Sequence, residues 1–393
     1  LPISAAYALK ARVLLYAASP LFNGNADYAK FANEDGTLLF APKDDSKWGK
    51  AAAAAKEAID KIEGSSYYGL YYSDEPDNGY RNYMELFLPS KKWNKEYIFA
   101  RNQGTGYSDN IHQEKCMAAN GMGGWSGLCP TQELVDAYEM ANGSTPIIGY
   151  NADGTPIING ASGYSETGFA ATAGKHYPAG VYNMYVGREP RFYASINFNG
   201  QQWRGRQLEF WQGGKDGINV SKVDYCCTGY LLRKTADEGV DVINGKGGMK
   251  EASILFRVGS LYLDYAEALN EAEGPVDDVY KYVDAIRKRA GLPGLAKGLD
   301  KDKMRERIQH ERQIELAFEA GHRYFDCHRW KIAEKTDNGY MHGMNITATN
   351  KVDYSKRSTV GDSRVFEKKH YLFPIPQSEM DKRIGLVQSP YWE

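Results

Sequence analysis

Residues 47–63 carry small and apolar side chains on one face of a helix. That face consists of Trp48, Ala51, Ala55, Ala58, Ile59 and Ile62. Because small residues let a second helix approach closely, the pattern predicts a helix packed against another helix. Residues 3–18 form a similar pattern, which Ser19-Pro20 ends. The pair is similar to a tetratricopeptide helix–turn–helix, although residues 19–46 interrupt its regular period.

The C-terminal third of the chain has helical periodicity again. We predict three helices, over residues 253–272, 275–290 and 302–320. Gly291 and Gly321 are expected to end the second and third of them, because glycine readily adopts the left-handed conformation of a helix C-terminus.

The middle of the chain is less periodic. Residues 67–130 are polar, aromatic and rich in glycine, and residues 131–140 predict a short helix capped by Thr131. Apolar and polar side chains alternate over residues 192–198 before Asn199-Gly200, which predicts a β-hairpin. The chain therefore has the signature of a mainly α fold with long irregular loops and a small β-hairpin region.

We divide the sequence into three regions on these patterns. Residues 1–66 are the N-terminal tetratricopeptide-like helix pair, and residues 67–252 a loop-rich ligand-binding region with the hairpin. Residues 253–393 are the C-terminal helical scaffold with an extended tail.

Composition limits the classes of partner. A formal net charge of -2 gives no electrostatic reason to bind nucleic acid or an anionic membrane. Apolar runs of about 18 residues, which a membrane-spanning helix needs, do not occur. The 29 tyrosines and 7 tryptophans offer flat apolar faces with polar rims, which suit sugar rings. The 5 cysteines form no zinc-binding spacing, and their odd number excludes a complete set of intramolecular disulfides.

The best candidate for a ligand site is the segment 101–125. It holds Arg101, Asn102, Tyr107, Asn110, His112 and Trp125 among several glycines. A sugar site needs an aromatic face for the C–H side of the ring and polar groups for its hydroxyls. The alternative is a surface loop in which Trp125 only plugs the body of the protein.

Each of these side chains has an expected role. We expect Tyr107 and Trp125 to stack on sugar rings, and Asn110 and His112 to bind hydroxyls. Trp203 or Trp211 would add a second aromatic face. Trp203 is the weaker candidate of the two, because a tryptophan shortly after the turn also suits a hairpin packed on the scaffold.

The strongest enzymatic candidate is a group of carboxylates on the last predicted helix. Glu311 and Glu315 share an apolar stripe, and Glu319 to His322 spells the ExxH motif of carboxylate-bridged metal sites. The helix over residues 253–272 could add further ligands, namely Asp264, Glu267 and Glu271.

Three features argue for a structural role of these carboxylates. A second ExxH is missing, because Asn270 stands where the histidine is required, and Gly321 is expected to end the helix before His322. Arginines are also numerous enough to pair with them: Arg287, Arg289, Arg312, Arg323 and Arg329. We therefore expect arginine pairs at Glu311 and Glu315, no catalytic residue, no bound metal and no cofactor.

Several segments, in order along nearly the whole chain, resemble the SusD/RagB family of outer-membrane glycan-binding lipoproteins of Bacteroidetes. They are ALKARVLLYA (8–17), SPLFN (19–23), PTQELVDAY (130–138), REPRF (188–192), YAEALNE (265–271), RKRAG (287–291), ERQIELAFE (311–319), GHRYFD (321–326) and YLFPIPQSE (371–379). In this chain Ala320 separates the last two helical motifs, which the family usually joins directly.

The resemblance implies a tetratricopeptide-like helical scaffold (an α/α superhelix) with a loop-rich ligand-binding face. It implies non-catalytic binding of an oligosaccharide or polysaccharide at the cell surface of the outer membrane, and delivery to a SusC-like TonB-dependent transporter. Family members carry a lipidated cysteine and a long segment before the first motif. We therefore expect this chain to lack that N-terminal portion, and to contact the membrane only through a lipid anchor absent from it.

Two other classes of function stay open on the sequence. One is a glycoside hydrolase or carboxylate-metal enzyme, which would show turnover or stoichiometric metal. The other is a helical-repeat scaffold that binds only protein, which would show no affinity for sugar.

Overall fold

The computed structural model describes residues 2–91, 93–102, 107–245, 252–319, 321–382 and 384–392, without the side chains of residues 89, 102 and 107–111. These residues are mostly helical. The helices are α1 (Ile3–Ala18), α2 (Ser46–Glu63), α3 (Gly79–Leu86), α4 (Tyr107–Met117), α5 (Gln132–Ala137), α6 (Pro190–Ser195), α7 (Val258–Glu273), α8 (Asp277–Arg289), α9 (Lys301–Glu315), α10 (His322–Arg329), α11 (Ala333–Thr336), α12 (Lys351–Tyr354) and α13 (Gln377–Met380). Within this part of the chain, none of the helices combines the length and apolarity needed to cross a membrane.

The strands are short and pair only two by two. They are β1 (Tyr97–Asn102), β2 (Ile147–Tyr150), β3 (Pro156–Ile158), β4 (Ile196–Phe198), β5 (Gln202–Trp203), β6 (Arg206–Gln207), β7 (Tyr230–Leu232), β8 (Ala252–Arg257), β9 (Gly339–Met344) and β10 (Arg357–Arg364). The antiparallel pairs are β1 with β8, β2 with β3, β4 with β7, β5 with β6, and β9 with β10.

The small-residue face of α2 packs between two other helices, as its pattern predicts. Ala55 and Ala58 of α2 are fully buried in one core with Ala11 of α1 and Leu263 of α7. Helices α8 and α9 complete this core. A second core, rich in aromatic rings, surrounds Phe192 and carries the loops of the central region.

The helix predicted over residues 131–140 is shorter in the structure. Thr131 stands at the N-cap of α5, but its hydroxyl makes no capping hydrogen bond. The helix ends at Ala137 because side chains satisfy its last carbonyls. Arg188 donates to the carbonyls of Val135 and Tyr138, and the imidazole of His310 contacts the carbonyl of Ala137 at 2.6 Å.

The strand predicted over residues 192–198 was wrong for most of its length. Pro190 begins α6, because its fixed φ and missing N–H suit the first turn of a helix. Only β4 is extended, and it pairs with the distant β7 rather than across the Asn199-Gly200 turn. The local hairpin is formed one turn later by β5 and β6, through Arg204 and Gly205, which both have positive φ.

The helices predicted over residues 253–272 and 302–320 also have different bounds. The first begins only at Val258, because residues 252–257 form β8, whose backbone pairs with β1. The helix predicted over residues 302–320 ends at Glu315, and Phe318 adopts a left-handed φ of 62°. Gly321, with a φ of 72°, is the N-cap of α10 and does not end α9.

Candidate ligand-binding surface and polar cleft

The segment 101–125 contains a helix where the sequence predicted a loop. Helix α4 has no long apolar stripe, and its inward face includes the charged Glu114, which is 4% exposed and lies 2.8 Å from the Arg204 guanidinium. Periodicity therefore could not reveal it. The backbones of Tyr107 and Asn110 lie in α4, but their side chains are outside the described part of the structure.

His112 and Trp125 lie together at the surface. Their ring centroids are 5.2 Å apart, and the Lys115 ammonium lies 5.3 Å from the centre of the Trp125 ring. Trp125 is 36% exposed, so it does not plug the body of the protein. We call His112, Lys115 and Trp125 the aromatic patch.

The turn before Trp125 holds the aromatic patch in place. The backbone N–H of Trp125 donates to the Lys115 carbonyl at 2.6 Å, and that of Ser126 to the Ala118 carbonyl at 3.0 Å. A Cβ at Gly124 would lie 2.1 Å from the Ala118 carbonyl oxygen, so only glycine fits there. The segment is therefore folded tightly onto the C-terminal half of α4.

The two other tryptophans of the expected site lie elsewhere. Trp203 is 2% exposed, so its ring has no free face in this structure, and the guanidinium of Arg233 covers it at 4.6 Å. Trp211 is half-buried against the second core, with the Lys351 ammonium 5.2 Å from its ring centre. Its loop reaches the turn before Trp125, where the Asn120 amide donates to the Gly217 carbonyl at 3.2 Å.

Sequence reasoning missed a polar cleft of about 320 Å³ above Trp203. Its walls come from four distant segments, and its lining residues are Tyr80, Gly174, Lys175, His176, Tyr177, Pro178, Gln201, Gln202 and Arg233. The rings of Tyr80 and His176 stack with their centroids 4.7 Å apart. The Arg233 guanidinium donates to the Tyr80 hydroxyl at 2.5 Å. We call this site the polar cleft.

His176 is neutral in the polar cleft at neutral pH. Burial, and to a smaller extent the positive charges of Lys175 and Arg233, lower the pKa of His176 to about 4. The imidazole is therefore a hydrogen-bonding and stacking group there. The spacing of residues in the sequence does not indicate that residues 80, 176 and 233 meet. Only the nearby Trp203 drew attention to this region.

The expected arginine pairs of the rival metal site are confirmed. Glu311 pairs with Arg287 at 3.1 Å, and Glu315 pairs with Arg289. The sequence did not identify two further partners: Arg191, which contacts both carboxylates, and Arg257, 2.9 Å from Glu315. All of these side chains are fully buried.

The two ends of the ExxH motif face different surroundings. The Glu319 carboxylate binds Lys234 at 2.6 Å and Arg257 at 2.7 Å. Burial lowers the pKa of His322 to about 4, with the charges of Arg12 and Arg312 adding to the effect.

The carboxylates of α7 are paired as well. Asp264 lies 2.6 Å from Arg312, Glu271 lies 2.6 Å from Arg305, and Glu267 pairs with Arg329. Among the described residues, no three or more His, Cys, Asp or Glu side chains are arranged to hold a metal ion. All five cysteines are free thiols.

Comparison of structures shows which class of protein this fold defines. The chain superposes on the protein BT4246 with a TM-score of 0.79 and 26% sequence identity, over 99% of this chain and 71% of that one. A SusD-like protein from Bacteroides fragilis NCTC 9343, BF3747, matches with a TM-score of 0.69 and 26% identity, over 99% and 65% of the two chains. The mostly helical structure is therefore a SusD-like fold.

The family follows from the sequence match. The SusD family model matches residues 89–392, and the chain belongs to this family, whose members bind glycans without catalysis. SusD-like protein P25 of Formosa agariphila is 42% identical over 82 residues, which are 20% of this chain and 15% of that protein. SusD-like protein P2 of the same organism is 29% identical over 154 residues, 36% of this chain. The matches thus span only 15% and 26% of these two relatives.

Proposed function

We propose that this chain binds an oligosaccharide or polysaccharide at the aromatic patch and does not change it chemically. The observation that carries the proposal is the contact between His112 and Trp125, whose centroids lie 5.2 Å apart on an exposed surface. Membership of a glycan-binding family supports it. A flat apolar face beside polar groups is what a sugar ring requires.

The proposed contacts follow from the chemistry of each group. Trp125 offers an indole face for the C–H side of a sugar ring, and His112 offers ring nitrogens for its hydroxyls. We propose that Tyr107 and Asn110, which begin α4, extend the same surface. Trp211 would provide a second face, since its loop is tied to the turn before Trp125.

The wider role rests on the family resemblance. We propose that the helices form a tetratricopeptide-like α/α superhelix, from residues 1–66 and 253–393, which carries the ligand-binding region 67–252. In the whole protein, a lipid anchor would hold this scaffold at the outer surface of the outer membrane. The bound glycan would then pass to a SusC-like TonB-dependent transporter.

A glycan array on the purified chain tests the proposal. We expect binding to one class of oligosaccharide, followed by calorimetry that shows a saturable heat and by chromatography that recovers the glycan uncleaved. Release of shorter sugars would instead support a glycoside hydrolase. Absence of binding across the array would support a scaffold that binds only protein.

A further inference from the structure

Among the described residues, fully buried arginines face carboxylates, with one exception that lies beside the polar cleft. The described structure has seven fully buried arginines, and six of them have carboxylate partners. These six are Arg191, Arg257, Arg287, Arg289, Arg312 and Arg329. The exception is Arg188, which donates to the carbonyls of Met184, Val135 and Tyr138. Its Nε has no partner among the described residues.

Arg188 lines a second cavity, of about 330 Å³, that adjoins the polar cleft. The two cavities share Tyr80, Lys175, His176 and Tyr177. The half-buried Arg233 lines the first cavity, and within the described part of the chain it too has no carboxylate partner. The two adjoining cavities are therefore lined by two guanidinium groups that have no carboxylate partner among the described residues.

The Arg233 side chain is held in one orientation. Its guanidinium carbon lies 4.6 Å from the centre of the Trp203 ring and 5.5 Å from that of Tyr80. One terminal nitrogen donates to the Tyr80 hydroxyl, while Nε is unpartnered among the described residues. A planar guanidinium held against two rings loses little rotamer freedom when its edge binds an oxyanion.

Gln201 adds a second donor. Its side chain is 2% exposed and lines the polar cleft, and its Oε1 accepts the Phe198 backbone N–H at 3.2 Å. With the oxygen engaged in this way, the amide Nε2 is a buried donor that has no partner in the described structure. A buried donor without an acceptor is costly, so this position favours a ligand that brings an acceptor.

Two carboxylates of the neighbouring segment 75–77 do not fill this role. Asp77 lines the adjoining cavity from an exposed position, and Glu75 is paired with Arg81. Lys175, exposed at the rim, adds a third positive charge. The donors and charges that line the space thus select for negative charge.

We propose that the polar cleft binds an oxyanion, either a carboxylate or a sulfate ester, carried on a sugar residue. The proposal that the carrier is a sugar rests on the proposed function, whereas capture of the anion rests only on the donors and charges that line the two cavities. Arg233 and the Gln201 amide donate to the anion, Lys175 attracts it, and the ring of Tyr177 flanks the sugar. The ligand class would then be an acidic glycan, with its charged group in the polar cleft.

Calorimetry on the full chain tests this proposal with four probes: glucuronate, glucose 6-sulfate, inorganic sulfate and neutral glucose. We expect the anionic probes to bind more tightly than glucose by about tenfold or more, and their affinity to fall as salt is raised. Binding of glucuronate alone identifies a carboxylate site, and binding of glucose 6-sulfate or sulfate identifies a sulfate site. Equal affinity for glucuronate, glucose 6-sulfate and glucose would overturn the proposal.

Three variants locate the site. Arg233→Gln should weaken binding of the anionic probe about tenfold or more, and Gln201→Glu should do the same by placing a negative charge against it. Arg364→Gln is the control, because this arginine of β10 hydrogen-bonds, among the described residues, only to the backbone carbonyls of Gly339 and Thr336. If both cleft variants keep a native circular dichroism spectrum and full affinity for the anion, the proposal is wrong.

This experiment also separates the polar cleft from the aromatic patch. Failure of the proposed function would leave every glycan on the array unbound, while the anionic probe that binds the wild type would still lose affinity for Arg233→Gln. Failure of the cleft proposal would leave glycan binding sensitive to Trp125 and insensitive to Arg233.

Discussion

Arg257 Nη1 lies 2.9 Å from Oε1 of Glu315, and both side chains are fully buried. The same guanidinium binds Glu96 and Glu319, each at 2.7 Å. A single arginine at the end of β8 thus links α9, the turn after α9 and Glu96, which precedes β1. Removal of one partner from such a network leaves an uncompensated charge in the interior.

The first prediction concerns Glu315. Replacement of Glu315 by Ala should lower the free energy of unfolding by about 3–5 kcal/mol, because Arg191, Arg257 and Arg289 would lose their shared carboxylate. Urea unfolding followed by circular dichroism measures the change. Glu306→Ala is the matched control, since Glu306 is exposed on the same helix.

A loss of stability from Glu315→Ala no larger than that from the control would contradict this prediction. Glu311→Ala should behave like Glu315→Ala, because Glu311 contacts Arg191 and Arg287 in the same network.

The second prediction concerns pH. Burial alone would raise the pKa of Glu315 and of Glu319, but the charges of Arg257 and its neighbours outweigh it and lower both pKa values to about 2. For His322, burial lowers the pKa to about 4. In each case the unfolded chain binds the proton more tightly, so stability is lost as the pH falls toward the folded pKa.

We therefore expect the urea midpoint to decline in two windows. The His322 contribution is present above about pH 6.5 and is lost toward pH 4, and the glutamate contribution is present above about pH 4.5 and is lost toward pH 2. His322→Asn should reduce the decline in the upper window only, where His176, with a pKa also lowered to about 4, accounts for part of the decline. A midpoint that stays constant from about pH 7 to about pH 3 would refute the assignment.

The third prediction concerns the aromatic patch. Trp125→Ala should weaken binding of the glycan found on the array by about tenfold or more, since stacking on one ring is worth roughly 1–3 kcal/mol. Calorimetry gives the affinity. Trp93→Ala is the control, because Trp93 is also exposed but belongs to a different surface. Unchanged affinity in both Trp125→Ala and Tyr107→Ala would place the sugar elsewhere.

The fourth prediction concerns the turn that presents Trp125. Gly124→Ala should cost about 1–3 kcal/mol and shift the fluorescence of Trp125, because its Cβ would collide with the Ala118 backbone. Gly127→Ala should be close to neutral, since its Cβ would meet only the Cys116 side chain at 3.5 Å. Similar effects of the two substitutions would show that the turn does not set the position of Trp125.

Local patterns predicted part of this structure well. Helix α1 has the bounds that its sequence indicated, and α2 differs by one residue, because a single periodic face decides both. Residues 192–195 and 253–257 were misassigned, because Pro190 begins a helix and β1 pairs with β8, and both effects act against the local pattern.

The proximity of residues in the candidate sites was predictable only in part, for a similar reason. His112 and Trp125 lie 13 positions apart, and one tight turn brings them together. Residues 80, 176, 201 and 233 meet only after four segments have packed, and no spacing in the sequence encodes that meeting. Pairing of the buried carboxylates with arginines was predictable, since a buried carboxylate needs a partner. The partners Arg191 and Arg257 were not, because they lie in elements that were misassigned.

The buried network also constrains the order in which the protein can fold. Arg191 and Glu311 are 120 positions apart, and Glu96 and Arg257 are 161 apart. During synthesis the ribosome releases Glu96, Arg191 and Arg257 well before Glu315, so their charges must stay hydrated until the last third of the chain has emerged. Ion pairs between residues so far apart in the sequence form late and together. This favours slow folding that begins after synthesis is nearly complete.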